Sequence, residues 1–186
     1  HAYFDYPVNS IDLERVYDFD PIPEGLDPEA AKLILGGECN MWSERAPQEL
    51  VDSKVFPRIL AMSEVLWTNK QLQEYSDFYN RVQGQYAYLD ALEVDYGLES
   101  VPVRIESMPN DSALLLNLKA TAPGTRVTWQ VNDEEPIDLN RSAPYLTGQG
   151  TLKIVSERNG KLYGDTIIQH FTHHKAYKVD PQIEAT

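Results

Sequence analysis

The spacing of apolar positions divides the chain in two. Over residues 1–98 apolar side chains recur at intervals of three and four, the period of helices packed on a core; over residues 101–175 they alternate in short runs bounded by turn residues, the period of strands. The join falls near Gly97 to Pro102, where glycine and proline interrupt both patterns. The expected fold class is therefore α/β followed by all-β, with one domain over 1–98, a second over 99–175 and a tail over 176–186.

Within the first half, His1 to Tyr6 reads as a strand-like piece, followed by a loop containing Pro21, Pro23 and Gly25. Asp27 before Pro28 has the form of an N-cap followed by proline at the first helical position, and the helix it opens should end at Gly36-Gly37. Glu38 to Trp42 reads as a second short, buried strand, with Ser43 to Pro47 as its exit loop. Val51, Val55, Ile59, Met62 and Leu66 form one helical stripe, which Pro57 should split into a short helix and a longer one. Leu72, Tyr75, Tyr79, Val82, Tyr86, Leu89 and Tyr96 predict a long amphipathic helix.

In the second half, Val103–Ser107, Ala113–Ala120, Arg126–Val131, Thr151–Glu157 and Thr166–Thr172 read as strands. Turns are marked by Asn110-Asp111, Pro123-Gly124, Asn132-Asp133 and Asn159-Gly160. This spacing predicts a small antiparallel β-sandwich.

Composition narrows the possible partners. A formal net charge of −13 repels phosphate backbones and anionic lipid surfaces, so neither nucleic acid nor a membrane is expected as a partner. No apolar run approaches the roughly 20 residues needed to span a bilayer. Cys39 is the only cysteine, so no disulfide can form within the chain. The chain opens at His1 rather than Met, which reads as an internal boundary of a longer protein.

Two stretches carry candidate chemistry. In Gly36-Gly37-Glu38-Cys39-Asn40-Met41-Trp42-Ser43-Glu44 a strand ends in a tryptophan with a glutamate two residues on. A sugar site needs both types: an indole face stacks on the apolar C–H face of a pyranose, and a carboxylate accepts hydrogen bonds from adjacent hydroxyls. The alternative is a core Trp42 and a Glu44 placed at a helix start by the dipole. In Tyr3-Phe4-Asp5 alternation puts a phenol and a carboxylate on one side of a strand end; the alternative is a half-buried Tyr3 with a solvated Asp5.

Taken together and in order, these stretches resemble the glycoside hydrolases of family 20, the β-N-acetylhexosaminidases. Tyr3-Phe4-Asp5-Tyr6 resembles a Tyr-x-Asp strand of that family, and Val16 to Pro21 with Pro23 resembles the segment that follows it. Leu35-Gly36-Gly37-Glu38 through Trp42-Ser43-Glu44 resembles the next strand, and Phe56-Pro57-Arg58 with Ala61, Glu64 and Leu66-Trp67 resembles the helix after that. The resemblance implies the C-terminal portion of a (β/α)8 barrel, about its last two strands and helices, with the active site at the strand ends.

The resemblance also implies an activity, the removal of terminal non-reducing β-linked N-acetylglucosamine or N-acetylgalactosamine by substrate-assisted retaining catalysis, without a cofactor or a metal. In that scheme the substrate's acetamide oxygen attacks the anomeric carbon. Tyr3 would hydrogen-bond that oxygen, Asp5 and Glu44 would bind ring hydroxyls, and Trp42 would form a wall. The family's adjacent Asp-Glu pair would lie upstream of residue 1, so the chain would need the N-terminal part of the barrel and would be inactive alone. The expected ligand is an N-acetylhexosamine-containing glycan, and the expected location periplasmic or secreted. More loosely, Val127 to Pro136, Ser142 to Tyr145 and Thr151 to Lys153 resemble the small β-domain of chitobiase-like members. A non-catalytic carbohydrate-binding or structural piece is the competing reading.

Other features carry less. His170, His173 and His174 lack an acid or cysteine to complete a metal set, so no metal is expected. Asn110-Asp111-Ser112 and Asn140-Arg141-Ser142 fit the N-glycosylation pattern, which matters only in a eukaryotic secretory pathway. Arg58 and Glu64 are expected to form buried ion pairs between packed helices.

Overall fold

In the computed structural model, which describes residues 2–68, 74–109 and 113–172, the chain forms two compact units that divide after Val101. The first is helical. Asp12 caps α1 (Leu13–Tyr17) by accepting from the Arg15 N–H, and Asp27 caps α2 (Pro28–Ala31) by accepting from Glu29 and Ala30. Single 3₁₀ turns follow at Ser43–Arg45 and Gln48–Leu50, then α3 (Val51–Val55), α4 (Arg58–Trp67) and α5 (Tyr75–Ala91).

The break expected at Pro57 is present, but it turns the helix on its axis. The buried face of α4 is Arg58, Ala61, Met62 and Val65, whereas Leu66, expected in the stripe, is exposed. The core gathers Phe4, Ile11, Leu13, Val16 and Tyr17 against α4 and against Phe78, Tyr79 and Val82 of α5. Tyr17 stacks on Phe78 with ring centroids 4.6 Å apart. The helix α5 ends at Ala91, before the Tyr96 of the expected stripe, although Tyr96 still packs its ring on Tyr86 at 4.6 Å. Leu72 lies outside the described residues.

Three expectations are corrected in this unit. The helix opened at Pro28 stops at Ala31, well short of Gly36. A helix of one turn, α1, stands where a loop was expected. The strand Glu38–Trp42 is reduced to one parallel bridge, Tyr3 to Asn40, and Leu35 ahead of it is 98% exposed rather than buried. A strand needs ladder partners, and here the segment meets only the backbone of residues 2–4.

The second unit is two antiparallel sheets. One is ordered β1-β2-β5, from β1 (Val103–Pro109), β2 (Leu114–Ala120) and β5 (Tyr145–Leu146). In the other, β3 (Arg126–Val131) lies between β4 (Ile137–Asp138) and β6 (Gln149–Arg158), and β6 also pairs with β7 (Lys161–Leu162) and β8 (Ile167–Thr172). Leu116 and Leu118 from the first sheet share one core with Val127, Trp129, Leu152, Ile154 and Phe171 from the second. Two sheets closing on a single core is the sandwich arrangement that alternation predicts. Trp129 is core, its indole N–H donating to the Ser142 carbonyl at 2.8 Å. Asp133 to Glu135 sit in the turn after β3, opened by Asn132 at φ 51°. The first unit therefore mixes short helices with one parallel bridge, and the second is all-β.

Candidate functional site

The site is built on the parallel bridge. The Phe4 N–H donates to the Asn40 carbonyl at 2.7 Å and the Asn40 N–H to the Ala2 carbonyl at 2.7 Å. Phe4 is buried in the core beneath, which fixes the level of the chain; of its neighbours Tyr3 is exposed and Asp5 is buried. On the other segment, Trp42 starts the 3₁₀ turn Ser43–Arg45, which carries Glu44 and Arg45. Tyr3, Asp5, Tyr6, Trp42, Glu44 and Arg45 line one hollow of about 350 Å³. All four residues singled out in the sequence are brought together there.

Their states differ. Trp42 is 57% exposed and Tyr3 is also exposed, and both line the hollow. Asp5 is only 4% exposed, and its Oδ1 has no hydrogen-bond partner. Unpaired buried acceptors are uncommon, because each loses its water without replacement. Among the described residues the Tyr3 hydroxyl and the Glu44 carboxylate also have no hydrogen-bond or ion-pair partner. The hollow thus offers open acceptors, a phenol and an indole face.

A second layer fixes the turn that carries Asp5. The Lys54 ammonium donates to the Asp5 carbonyl at 2.8 Å. The Arg58 guanidinium, 3% exposed, donates to the carbonyls of Tyr6 at 3.1 Å and Ile11 at 2.9 Å and to the carbonyl of Phe4. Its Nε donates to the Lys54 carbonyl at 2.9 Å, and it lies over the Phe4 ring at 4.9 Å. Burial pulls the Arg58 guanidinium down to about 10, against the opposing pull of the Asp5 charge. Burial first, and then Arg58, lower the Lys54 ammonium, again opposed by Asp5.

The expected Arg58–Glu64 ion pairing is therefore replaced by two separate arrangements. Arg58 satisfies buried carbonyls, while Glu64 takes both terminal nitrogens of Arg81, at 2.6 and 2.9 Å, on the α4–α5 surface. Two residues of the hollow escaped the sequence reading. Strand parity puts Tyr6 opposite Asp5, but the chain turns after Tyr3 and its ring swings edge-on to Tyr3, with centroids 6.5 Å apart. Arg45 follows Glu44 directly and stands over the Tyr6 ring at 4.8 Å. Its position next to Glu44 was the only available signal. His170 hydrogen-bonds Thr151 across β6 and β8 at 2.9 Å, and His173 and His174 lie outside the described residues, as do Asn110 to Ser112. Among the described residues no group of three metal-ligating side chains occurs.

A shallow hollow with an indole, phenols and carboxylates, set at the ends of two parallel segments, gathers the group types that carbohydrate recognition uses. Residues 2–70 match the catalytic-domain model of glycosyl hydrolase family 20. The chain is similar to a beta-hexosaminidase of Porphyromonas gingivalis, 32% identical over 85 residues covering 45% of this chain and 11% of that protein. It is similar also to beta-hexosaminidase subunit B2 of Dictyostelium discoideum, 45% identical over 65 residues covering 35% of this chain and 11% of that protein. Among solved structures, a beta-N-acetylhexosaminidase from Bacteroides fragilis aligns with a TM-score of 0.46 at 26% identity, covering 54% of this chain and 22% of that one. The chain thus spans about a tenth of the length of these two curated relatives.

Proposed function

We propose that this chain is the C-terminal part of an exo-acting β-N-acetylhexosaminidase, which removes terminal non-reducing β-linked N-acetylglucosamine or N-acetylgalactosamine. The observation that carries the reading is the convergence of Tyr3, Asp5, Trp42 and Glu44 on one hollow. Trp42 stacks on the pyranose, and Asp5 and Glu44 accept from hydroxyls at the ring end far from the scissile bond. Tyr3 donates its hydroxyl to the acetamide oxygen as that oxygen attacks the anomeric carbon. A donor at this point supports substrate-assisted retaining chemistry, in which the substrate supplies its own nucleophile.

In this reading the bridged segments around Tyr3 and Asn40 are neighbouring strands of a (β/α)8 barrel, about its seventh and eighth, and the second unit is a small β-domain that follows the barrel in the chain. The exposure of Leu35 and of Trp67, 98% and 90%, supports a rest of the barrel that covers them. The acid that protonates the leaving oxygen then belongs to that remainder. Within this chain the adjacent Asp133-Glu134 pair sits in a turn of the second unit, far from the bridged segments in sequence. No helix among the described residues is long and apolar enough to cross a membrane.

The test is kinetic, on the whole protein that contains this chain and with an aryl N-acetylglucosaminide. Glu44→Gln is expected to lower kcat/KM by roughly tenfold or more, because a neutral acceptor replaces a charge-assisted one. Tyr3→Phe is expected to lower kcat about a hundredfold with little change in KM, the signature of a donor used mainly in the transition state. Unchanged kinetics in both variants would overturn the reading.

A further inference from the structure

We propose that Lys54 is a positioning residue for Asp5: it ties down the main chain of Asp5 without bonding the carboxylate that lines the hollow. This rests on the reading of the hollow as the sugar site. The Nζ of Lys54 donates to the Asp5 carbonyl at 2.8 Å rather than to the carboxylate, and the carboxylate Oδ1 remains without a partner although it is buried.

That division of labour is chemically useful. If a cation bonded the carboxylate directly, the acceptors that a sugar hydroxyl requires would be occupied. Lys54 on α3 and Arg58 on α4 supply two positive charges that interact with Asp5 from beneath, and both spend their hydrogen bonds on the carbonyls of Phe4, Asp5 and Tyr6. Three consecutive carbonyls held by two side chains leave the turn little freedom, so the Asp5 carboxylate is presented in one orientation.

The other groups that line the hollow with Asp5 are Tyr3 and Tyr6 from its own segment and Glu44 and Arg45 from the bridged one. Lys54 differs from Arg45 in being bonded to the turn itself. It differs from Arg58 in standing apart from the buried core, so it can be changed at less cost to the fold.

The experiment compares Lys54→Met, Lys54→Arg and Asp5→Asn in the whole protein. It follows kcat and KM for an aryl N-acetylglucosaminide from pH 4 to 8, binding of free N-acetylglucosamine by calorimetry, and the thermal midpoint. Lys54→Met is expected to raise KM and the dissociation constant of the free sugar about tenfold with a smaller change in kcat. Lys54→Arg, which can reach the same carbonyl, should restore the affinity.

A merely structural lysine would lower the thermal midpoint and leave KM and the affinity for free sugar in place, and that result overturns the proposal, as does a failure of Lys54→Arg to rescue. Asp5→Asn separates the two claims. If it leaves sugar binding intact, the hollow is not the sugar site and the reading beneath the proposal fails. If it abolishes binding while Lys54→Met binds free sugar as the unaltered protein does, the site stands and the role of Lys54 falls. Should Lys54→Met not fold, the same affinity is read in Lys54→Gln.

Discussion

Phe4 and Asn40 share the hydrogen bond on which the site depends: the amide of Phe4 meets the carbonyl of Asn40 at 2.7 Å, and together with the return bond from Asn40 to Ala2 it forms the one parallel bridge of the first unit. Two segments far apart in sequence are thereby set side by side, each delivering its functional side chains just beyond the bridge, to the same hollow. The helices α3 and α4 then hold the first segment from below through Lys54 and Arg58.

Trp42 is the residue whose loss should separate binding from folding. More than half of it is exposed, and it contributes to neither buried cluster. In Trp42→Ala the affinity for N-acetylglucosamine should fall on the order of tenfold as the stacking plate is lost. The unfolding free energy should change by less than about 0.5 kcal/mol, as for other surface positions. Calorimetric titration and denaturant melts of the same preparations check both.

Gly97 is fixed by a close approach. Its N–H donates to the Phe56 carbonyl at 3.0 Å, and a β-carbon added there would lie 2.1 Å from the Ser53 carbonyl oxygen, a backbone atom that cannot swing aside. Gly97→Ala is expected to destabilise the first unit by about 3 kcal/mol, the upper part of the overpacking range. Hydrogen exchange on α3 should show the loss locally.

Glu93 offers the opposite sign. It follows α5 in the left-handed region at φ 56°, with the Glu93 N–H bonded to Asp90 and the Val94 N–H to Leu89, the bonding of a Schellman ending. A residue with a β-carbon is strained there, so Glu93→Gly should stabilise by about 1 kcal/mol. A chemical-denaturation midpoint shifted upward with unchanged slope is the expected reading.

The phenol of Tyr75 sets an alkaline limit. Burial, and next the charge of Glu14, raise it well above the usual tyrosine range. In the unfolded chain it ionises near 10. Below that value both states hold the proton and stability is flat. Above it the unfolded state sheds protons that the folded state retains, so stability falls as pH rises. Tyr17 and Tyr96 are raised by burial too and share the effect. The decline between pH 10 and 11.5, followed by circular dichroism, should be shallower in Tyr75→Phe than in the unaltered protein.

Much of this was legible in the residues, for identifiable reasons. Trp42 and Glu44, two apart at a segment end, and Tyr3 with Asp5 by strand parity, were joined into one site by the family resemblance, because spacing and parity alone equally allow a core Trp42 and a solvated Asp5. Leu116, Leu118, Val127 and Trp129 alternated clearly enough to place the sandwich core. What escaped is non-local or very short. Tyr6 and Arg45 enter the hollow through turns that parity ignores, and α1 is only a single helical turn. The two-residue strands β4, β5 and β7 exist because longer neighbours recruit them. Arg58 was misassigned because a buried arginine suggests a carboxylate partner, whereas here a bundle of carbonyls fills that role.

The central claim is tested most directly by a crystal structure of the whole protein with N-acetylglucosamine bound. The account predicts the pyranose stacked on Trp42, with Asp5 and Glu44 oxygens within about 3 Å of ring hydroxyls and the Tyr3 hydroxyl at the same distance from the acetamide oxygen. A sugar bound at another site, with this hollow left to solvent at saturating concentration, would contradict it.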